Sequence, residues 1–198
     1  GHEKIQDYGN KTINFSDKKV IREIIYKKKY FFKKGNYQNF LLKKIFYGNN
    51  LKNVSYNGVS INTKTIKKND LFFAICGKKT DGHKFVREAI KKGAVKSVVS
   101  KKIGEISKNK IIKVKNTFSS LNDLAKVTRN STSAQIVGIT GSVGKTTIKN
   151  LIGFALKNYG KVYQSPHSYN NKFGVPLSLS NLKKNTEYGI FEIGMDKK

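Results

Sequence analysis

The residues best suited to chemistry are Gly141-Ser142-Val143-Gly144-Lys145-Thr146-Thr147. Two glycines bracket a tight turn, and a lysine and two hydroxyls follow at once. Glycine lets the backbone turn its N–H groups inward, where they can cradle an anion. A lysine beside such a cradle reaches the outer oxygens of a bound phosphate, and a hydroxyl one residue on can ligate Mg²⁺. The elements that must position these residues are readable on either side. Ile136-Val137-Gly138-Ile139 is a short apolar run, the pattern of a buried parallel strand. Ile148, Leu151, Ile152, Ala155 and Leu156 recur at the spacing of one helix face. Strand, glycine loop and the partly positive N-terminus of a helix are the context a phosphate loop needs. The common pattern also places a glycine five residues before Gly144; this chain has Ile139 there, and Gly138 sits one residue early. The competing reading is a strand-to-helix turn with a merely solvated lysine.

At 198 residues the chain has room for one or two domains and a sizeable core. No run is long and apolar enough to span a bilayer, and no secretory pattern opens the chain. The single cysteine, Cys76, lies in the run Leu71-Phe72-Phe73-Ala74-Ile75-Cys76 and reads as a small core residue. A cytoplasmic protein without membrane insertion fits these features. The net charge of +28 raises the possibility of a nucleic-acid partner. Almost all of it is lysine, with Arg22, Arg87 and Arg129 the only arginines, and the lysines are spread along the whole chain. Base and phosphate readers lean on arginine forks. A solvated basic surface that favours phosphorylated ligands is therefore the reading, with a nucleic-acid-binding protein as the alternative class. Composition leaves the oligomeric state open.

Ahead of the phosphate loop, residues 11–15 form a strand candidate, and Ser16 can cap a helix running to about residue 29. Residues 31–50 read as a linker and a short amphipathic helix. Residues 51–132 alternate strand and helix patterns. Strands are expected at 59–61, 70–76, 94–99 and 111–114. A helix at 83–92 turns Phe85, Val86, Ala89 and Ile90 inward and stops at Gly93, and another spans 117–130. Asp81-Gly82 reads equally as turn chemistry or as part of a ligand loop. His83 reads as a capping or packing residue, since no cluster of ligands makes it a metal site.

Several blocks resemble the Mur ligase family. Gly58 to Lys64, Asp70 to Ala74, Gly77 to His83 and Gly93-Ala94 look like its N-terminal, UDP-binding domain. The resemblance implies that Thr63, Lys64, Lys78, Lys79 and Thr80 contact the uridine diphosphate group. This chain has Asn62-Thr63-Lys64 where the family usually has Asp-Ser-Arg, so the bidentate fork is lost at Lys64. Residues 133–198 are similar to the start of the family's central ATPase domain, through the phosphate loop, Ser168 to Leu177, and Gly189 to Met195. There the resemblance implies ATP on residues 141–147, Mg²⁺ on Thr146 and Glu192, and Asn171 orienting the phosphate or the substrate carboxylate. Taken alone, Glu192 would read as a strand-end carboxylate. Gly1-His2-Glu3, Gln6 and Phe15 to Val20 look like the C-terminal tail of the diaminopimelate-adding type, with Glu3 at a substrate-contacting position.

The implied architecture is α/β. A preceding module's tail (1–30) and a linker with a first helix (31–50) lead into a small UDP-binding domain (51–132). An incomplete phosphate-loop ATPase domain with a mainly parallel sheet (133–198) follows. The implied activity is an ATP-dependent, ADP-forming peptide ligase of peptidoglycan synthesis. It would join D-alanyl-D-alanine to UDP-N-acetylmuramoyl-tripeptide through an acyl phosphate, as part of a fused, bifunctional protein. Both ends of the chain read as cut, so residues 1–198 alone are expected not to turn over and to leave strand edges bare. An inactive fragment that binds UDP-substrate and ATP is the alternative.

Overall fold

The computed structural model describes residues 4–6, 12–14, 55–77, 80–166 and 169–194. The chain forms two compact units, Gly1–Tyr37 and Gln38–Lys198. In the smaller unit, strand β1 (Lys4–Gln6) pairs antiparallel with β2 (Thr12–Asn14), Ile5 opposite Ile13. The strand expected at 11–15 is present, and β1 is a partner that its sequence did not announce. Glu3, Lys78, Lys79 and the helices expected in 16–29 and 40–46 lie outside the described residues.

In the larger unit, β3 (Val59–Ser60), β4 (Leu71–Phe73), β5 (Lys96–Val99) and β6 (Ile111–Lys113) form a parallel sheet in that order. Successive side chains of a strand alternate between its faces. Leu71 and Phe73 therefore meet Val98 and Ile112 on one face, under Leu121 and Leu124 of helix α2 (Thr117–Ser131). Phe72 and Ala74 meet Val86 and Ala89 of helix α1 (Val86–Lys91) on the other. Burying each of the larger side chains stabilises the unit by about 1.5–3 kcal/mol. Helix α2 starts where Asn116 Oδ1 accepts the Ser119 amide at 2.9 Å, an N-cap. Past the end of α1, Gly93 takes φ 99°, a backbone region that favours glycine.

The second sheet carries β7 (Gln135–Ile139), helix α3 (Lys145–Leu156), β8 (Val162–Gln164), helix α4 (Gly174–Ser180) and β9 (Tyr188–Glu192). Its strands are parallel, in the order β7-β9-β8. Helix α4 packs on α2, and its Leu177 enters the core of the first sheet. Asn181, just beyond α4, accepts the Val59 amide and donates to the Val59 carbonyl, both at 2.9 Å. The two sheets are thus tied by the Asn181 side chain on the Val59 main chain as well as by apolar packing.

Several sequence expectations need correction. Cys76 is exposed rather than part of the core. Strand β4 ends at Phe73, and Cys76 instead bridges to Asp81 as the chain turns back. Phe85 is exposed because a 3-10 turn over Gly82–Phe85 precedes α1 and shifts the helical register. Strand β7 is parallel but only Ile139 is fully buried, since among the described residues β7 pairs with β9 alone. Helix α3 buries Lys149 and Gly153, while Ile148, Leu151 and Phe154 are exposed. The face turned to the sheet meets polar groups at the ends of β8 and β9, so its own inward residues are polar or small.

His83 is buried and packs between two loops. Its Nε2 accepts the Ser100 amide at 3.0 Å, so its Nδ1 carries the proton and donates to Asp81 Oδ1 at 2.6 Å. Lys101 Nζ donates to Asp81 Oδ2 at 2.7 Å. Lys101, then the His83 amide and ring, hold the Asp81 carboxyl well below the usual carboxylate range. A depressed folded-state pKa gives stability that is fully present above the unfolded value near 4 and lost as pH falls below it. Asp81→Asn should cost about 1–2 kcal/mol at pH 7. That difference should shrink as the pH of urea titrations is lowered from about 5 to about 2. A difference that stays constant over this range would show that the fold does not depress the Asp81 pKa.

Candidate nucleotide and metal site

The C-terminal ends of the three parallel strands of the second sheet converge on one place, the usual location of ligands in such sheets. Ile139 stands opposite Glu192 in the β7–β9 pairing, so the glycine loop leaves its strand level with that carboxylate. Gly141 has φ 143° and Gly144 φ 77°, both in the region where a side chain is strained. Gly144 is also the N-cap of α3, and its carbonyl accepts the Ile148 amide at 2.9 Å. Ser142 and Val143 form the exposed crest between the two glycines. Lys145 folds back over the loop and donates to the carbonyls of Gly141 at 2.5 Å and Ser142 at 3.3 Å. A cation thus stands at the mouth of a cradle of main-chain amides at a helix N-terminus, an arrangement suited to phosphate.

Thr146 and Glu192 are brought together. Thr146 Oγ1 donates to Glu192 Oε2 at 2.8 Å, and Asn170 Nδ2 donates to Glu192 Oε1 at 2.9 Å. Lys149 Nζ lies 3.5 Å from Oε2 and donates to the Ser165 carbonyl at 2.9 Å. The Glu192 amide in turn donates to Ser165 Oγ at 3.0 Å. Glu192 is 5% exposed and Lys149 1%. The Thr146 hydroxyl, then Asn170, outweigh burial and hold the Glu192 carboxyl below its ordinary range, with a smaller contribution from Lys149. An ionised carboxylate beside a hydroxyl is a donor set for a hard cation. Among the described residues no cluster of three or more His, Cys, Asp or Glu side chains occurs. The set therefore fits Mg²⁺ that takes its remaining ligands from phosphate and water.

The other site residues expected from sequence fall in distinct places. Thr147 is exposed and lines a separate groove with Asn150, Leu151 and Phe154. Asn171 does not reach Glu192; its Oδ1 accepts the amides of Phe173 and Gly174, both at 3.0 Å, at the start of α4. Thr63, Lys64 and Thr80 come together in a cleft of about 430 Å³, closed on one side by Tyr169 and Phe173. Thr63 is buried there, and after Lys92 its side chain helps hold the Glu88 carboxyl below its ordinary range.

Sequence reasoning missed Lys149, Ser165 and Asn170. A signal existed for Lys149, which lies three residues after Thr146 and so on the same helix face. Asn170 was hidden by its neighbour, since Asn170-Asn171 offers two amides and no periodicity to choose between them.

Comparison with known proteins agrees with this geometry. Residues 139–198 match the Mur ligase middle domain, and residues 55–129 the Mur ligase family catalytic domain. The UDP-N-acetylmuramoyl-tripeptide--D-alanyl-D-alanine ligase of Rickettsia prowazekii is 41% identical over 143 residues, 72% of this chain and 32% of that protein. A MurF ligase from Thermotoga maritima, solved in complex with ADP, is 33% identical with a TM-score of 0.59, covering 72% of this chain and 33% of that one. MurF from Acinetobacter baumannii shares the fold at a TM-score of 0.67 and 24% identity, over 79% of this chain and 35% of that one. The chain spans about a third of the length of the curated relatives it matches. Through residues 55–129 and 139–198, the chain belongs to the Mur ligase family.

Proposed function

We propose that the chain is part of an ATP-dependent amide ligase of peptidoglycan precursor synthesis, the one that joins D-alanyl-D-alanine to UDP-N-acetylmuramoyl-tripeptide. The observation that carries this reading is the Thr146–Glu192 pair held at 2.8 Å beside a glycine-lysine loop at the ends of parallel strands. The relatives' names supply the substrates. Lys145 neutralises the β- and γ-phosphates, and the amides of residues 141–144 hold them in place. Thr146 Oγ1 and Glu192 Oε2 are the protein's oxygen donors to Mg²⁺, which when bound neutralises charge on the transferring phosphoryl group. A carboxylate at neutral pH is a poor electrophile. Transfer of the γ-phosphoryl group to its oxygen yields ADP and an acyl phosphate, and the dipeptide amine then displaces phosphate. Asn171, at the head of α4, orients the carboxylate or the phosphate. The cleft of Thr63, Lys64 and Thr80 takes the uridine diphosphate group, and the resemblance adds Lys78 and Lys79 to its contacts. The site belongs to a cytoplasmic enzyme that acts on small molecules rather than on nucleic acid. The diaminopimelate-adding module, and the role of Glu3 in it, rest on the resemblance of residues 1–30.

Titrating the chain with a fluorescent ATP analogue in Mg²⁺ tests the nucleotide site. Binding is expected, and Lys145→Ala should weaken it about tenfold to a hundredfold, the worth of one charge-assisted contact. No nucleotide binding, together with DNA binding that falls steeply with salt, would establish the basic nucleic-acid-binding alternative instead. The full-length gene product should release phosphate only when ATP, the UDP-linked tripeptide and D-alanyl-D-alanine are all present. Residues 1–198 alone should not.

A further inference from the structure

Residues 169–173 touch both the cleft and the metal centre. Tyr169 and Phe173 form one wall of the cleft that holds Thr63, Lys64 and Thr80. Between them, Asn170 is fixed to the end of β9 twice. Its side chain donates to Glu192 at 2.9 Å, and its carbonyl accepts the Gly194 amide at 2.6 Å. Adjacent residues of one rigid peptide thus face two different sites.

The segment has little slack. Asn171 Oδ1 ties it to the first amides of α4. A Cβ on Gly174 would lie 2.4 Å from Tyr169 Cα, so the two backbones are in close contact. Phe173 is anchored edge-on to Phe118 of α2, with ring centroids 5.0 Å apart. Tyr169 packs on the core of the first sheet. A ligand that fixes the Tyr169 ring therefore fixes the Asn170 backbone, and with it the amide that orients Glu192.

We infer that residues 169–173 couple the cleft to the nucleotide–metal centre, with Asn170 as the positioning residue, so that a uridine diphosphate group in the cleft tightens Mg²⁺–nucleotide binding at Glu192. The inference rests on the reading of the cleft as the uridine diphosphate site. Its cause is preorganisation. The segment moves as one body, so a ligand that selects one position of Tyr169 also selects the position of Asn170 that the second ligand needs. Linkage requires the effect to be mutual and equal in both directions.

The experiment is a pair of titrations on the whole chain. A fluorescent ATP analogue with Mg²⁺ is titrated with and without saturating UDP, and UDP is titrated with and without the analogue. The expected result is a mutual tightening of about fivefold or more. In EDTA the factor should fall to near one, because Glu192 acts through the metal; a purely structural role of Asn170 would not depend on Mg²⁺. Asn170→Ala should also bring the factor to near one, and Asn170→Ser serves the same purpose if the alanine variant does not fold. Binding of both ligands with a factor below about two, or a factor that persists in EDTA or in both variants, would overturn the coupling alone. Failure of UDP or of the nucleotide to bind at all would overturn the coupling together with the site reading beneath it.

Discussion

Lys149→Met should lower the unfolding free energy of the larger unit by about 3–5 kcal/mol, the usual cost of breaking a buried ion pair from one side. Lys149 is 1% exposed on α3, and its ammonium lies between the Ser165 carbonyl at 2.9 Å and the Glu192 carboxylate at 3.5 Å. Methionine keeps most of the apolar stem, so little packing is lost. What is lost is a donor to the Ser165 carbonyl and a positive charge beside a buried carboxylate. Thr146 and Asn170 remain on Glu192, which keeps the loss below that of a bare buried charge. The double variant Lys149→Met/Glu192→Gln should recover part of the loss, because the buried negative charge is removed as well. Urea denaturation of the single and double variants should give a coupling of about 1–3 kcal/mol. A single-variant loss below about 1 kcal/mol would mean that Lys149 is not held in this pair. The same lysine bears on the proposed function: it carries positive charge into the neighbourhood of the proposed Mg²⁺ site, and so would set how strongly Glu192 attracts that metal.

Much of this was legible in the sequence, for identifiable reasons. The loop at 141–147 could be read because its glycines and lysine are fixed by local backbone chemistry, and local chemistry does not depend on the rest of the fold. Two of the φ-positive glycines, Gly141 and Gly144, fall inside that motif. Strands β4 and β5 were readable from their apolar runs, since both their faces are covered, and helix α2 from its periodicity, since it buries one regular face. Helix α3 shows where periodicity misleads. Its apolar residues Ile148 and Leu151 are exposed, and the inward positions are Lys149 and Gly153. Gly153 leaves room for the Gln164 side chain, which a Cβ there would meet. No pattern in the helix itself announces a neighbouring strand's glutamine. The Asn170–Glu192 bond was equally hidden, since it joins residues 22 apart in sequence through a fold that must exist first. Cys76 fell outside the core for a similar reason: the hydrophobic run continues past Phe73, but the strand does not.

Gly174→Ala should be the most damaging of the small substitutions in this fold, at about 3 kcal/mol. Two effects compete. Gly174 opens helix α4, and alanine in place of glycine favours a helix by up to about 1 kcal/mol. Against this, the new Cβ would sit 2.4 Å from Tyr169 Cα and 2.5 Å from its carbonyl carbon. Both atoms are backbone, so no rotamer change relieves the contact, and overpacking of this kind costs from 1 to about 3 kcal/mol or more. The clash therefore wins. Its consequences also travel, because displacing Tyr169 displaces Asn170 and loosens its 2.9 Å bond to Glu192. The variant should thus lose both stability and Mg²⁺-dependent nucleotide binding, although Gly174 lines neither site. Gly104→Ala is the control, since a Cβ there meets nothing within 4 Å. In urea titrations the control should stay within about 0.5 kcal/mol of the parent chain. If Gly174→Ala behaved like Gly104→Ala, the close approach of Tyr169 to α4 would be wrong, and the conduit from cleft to metal centre would lose its tightest link.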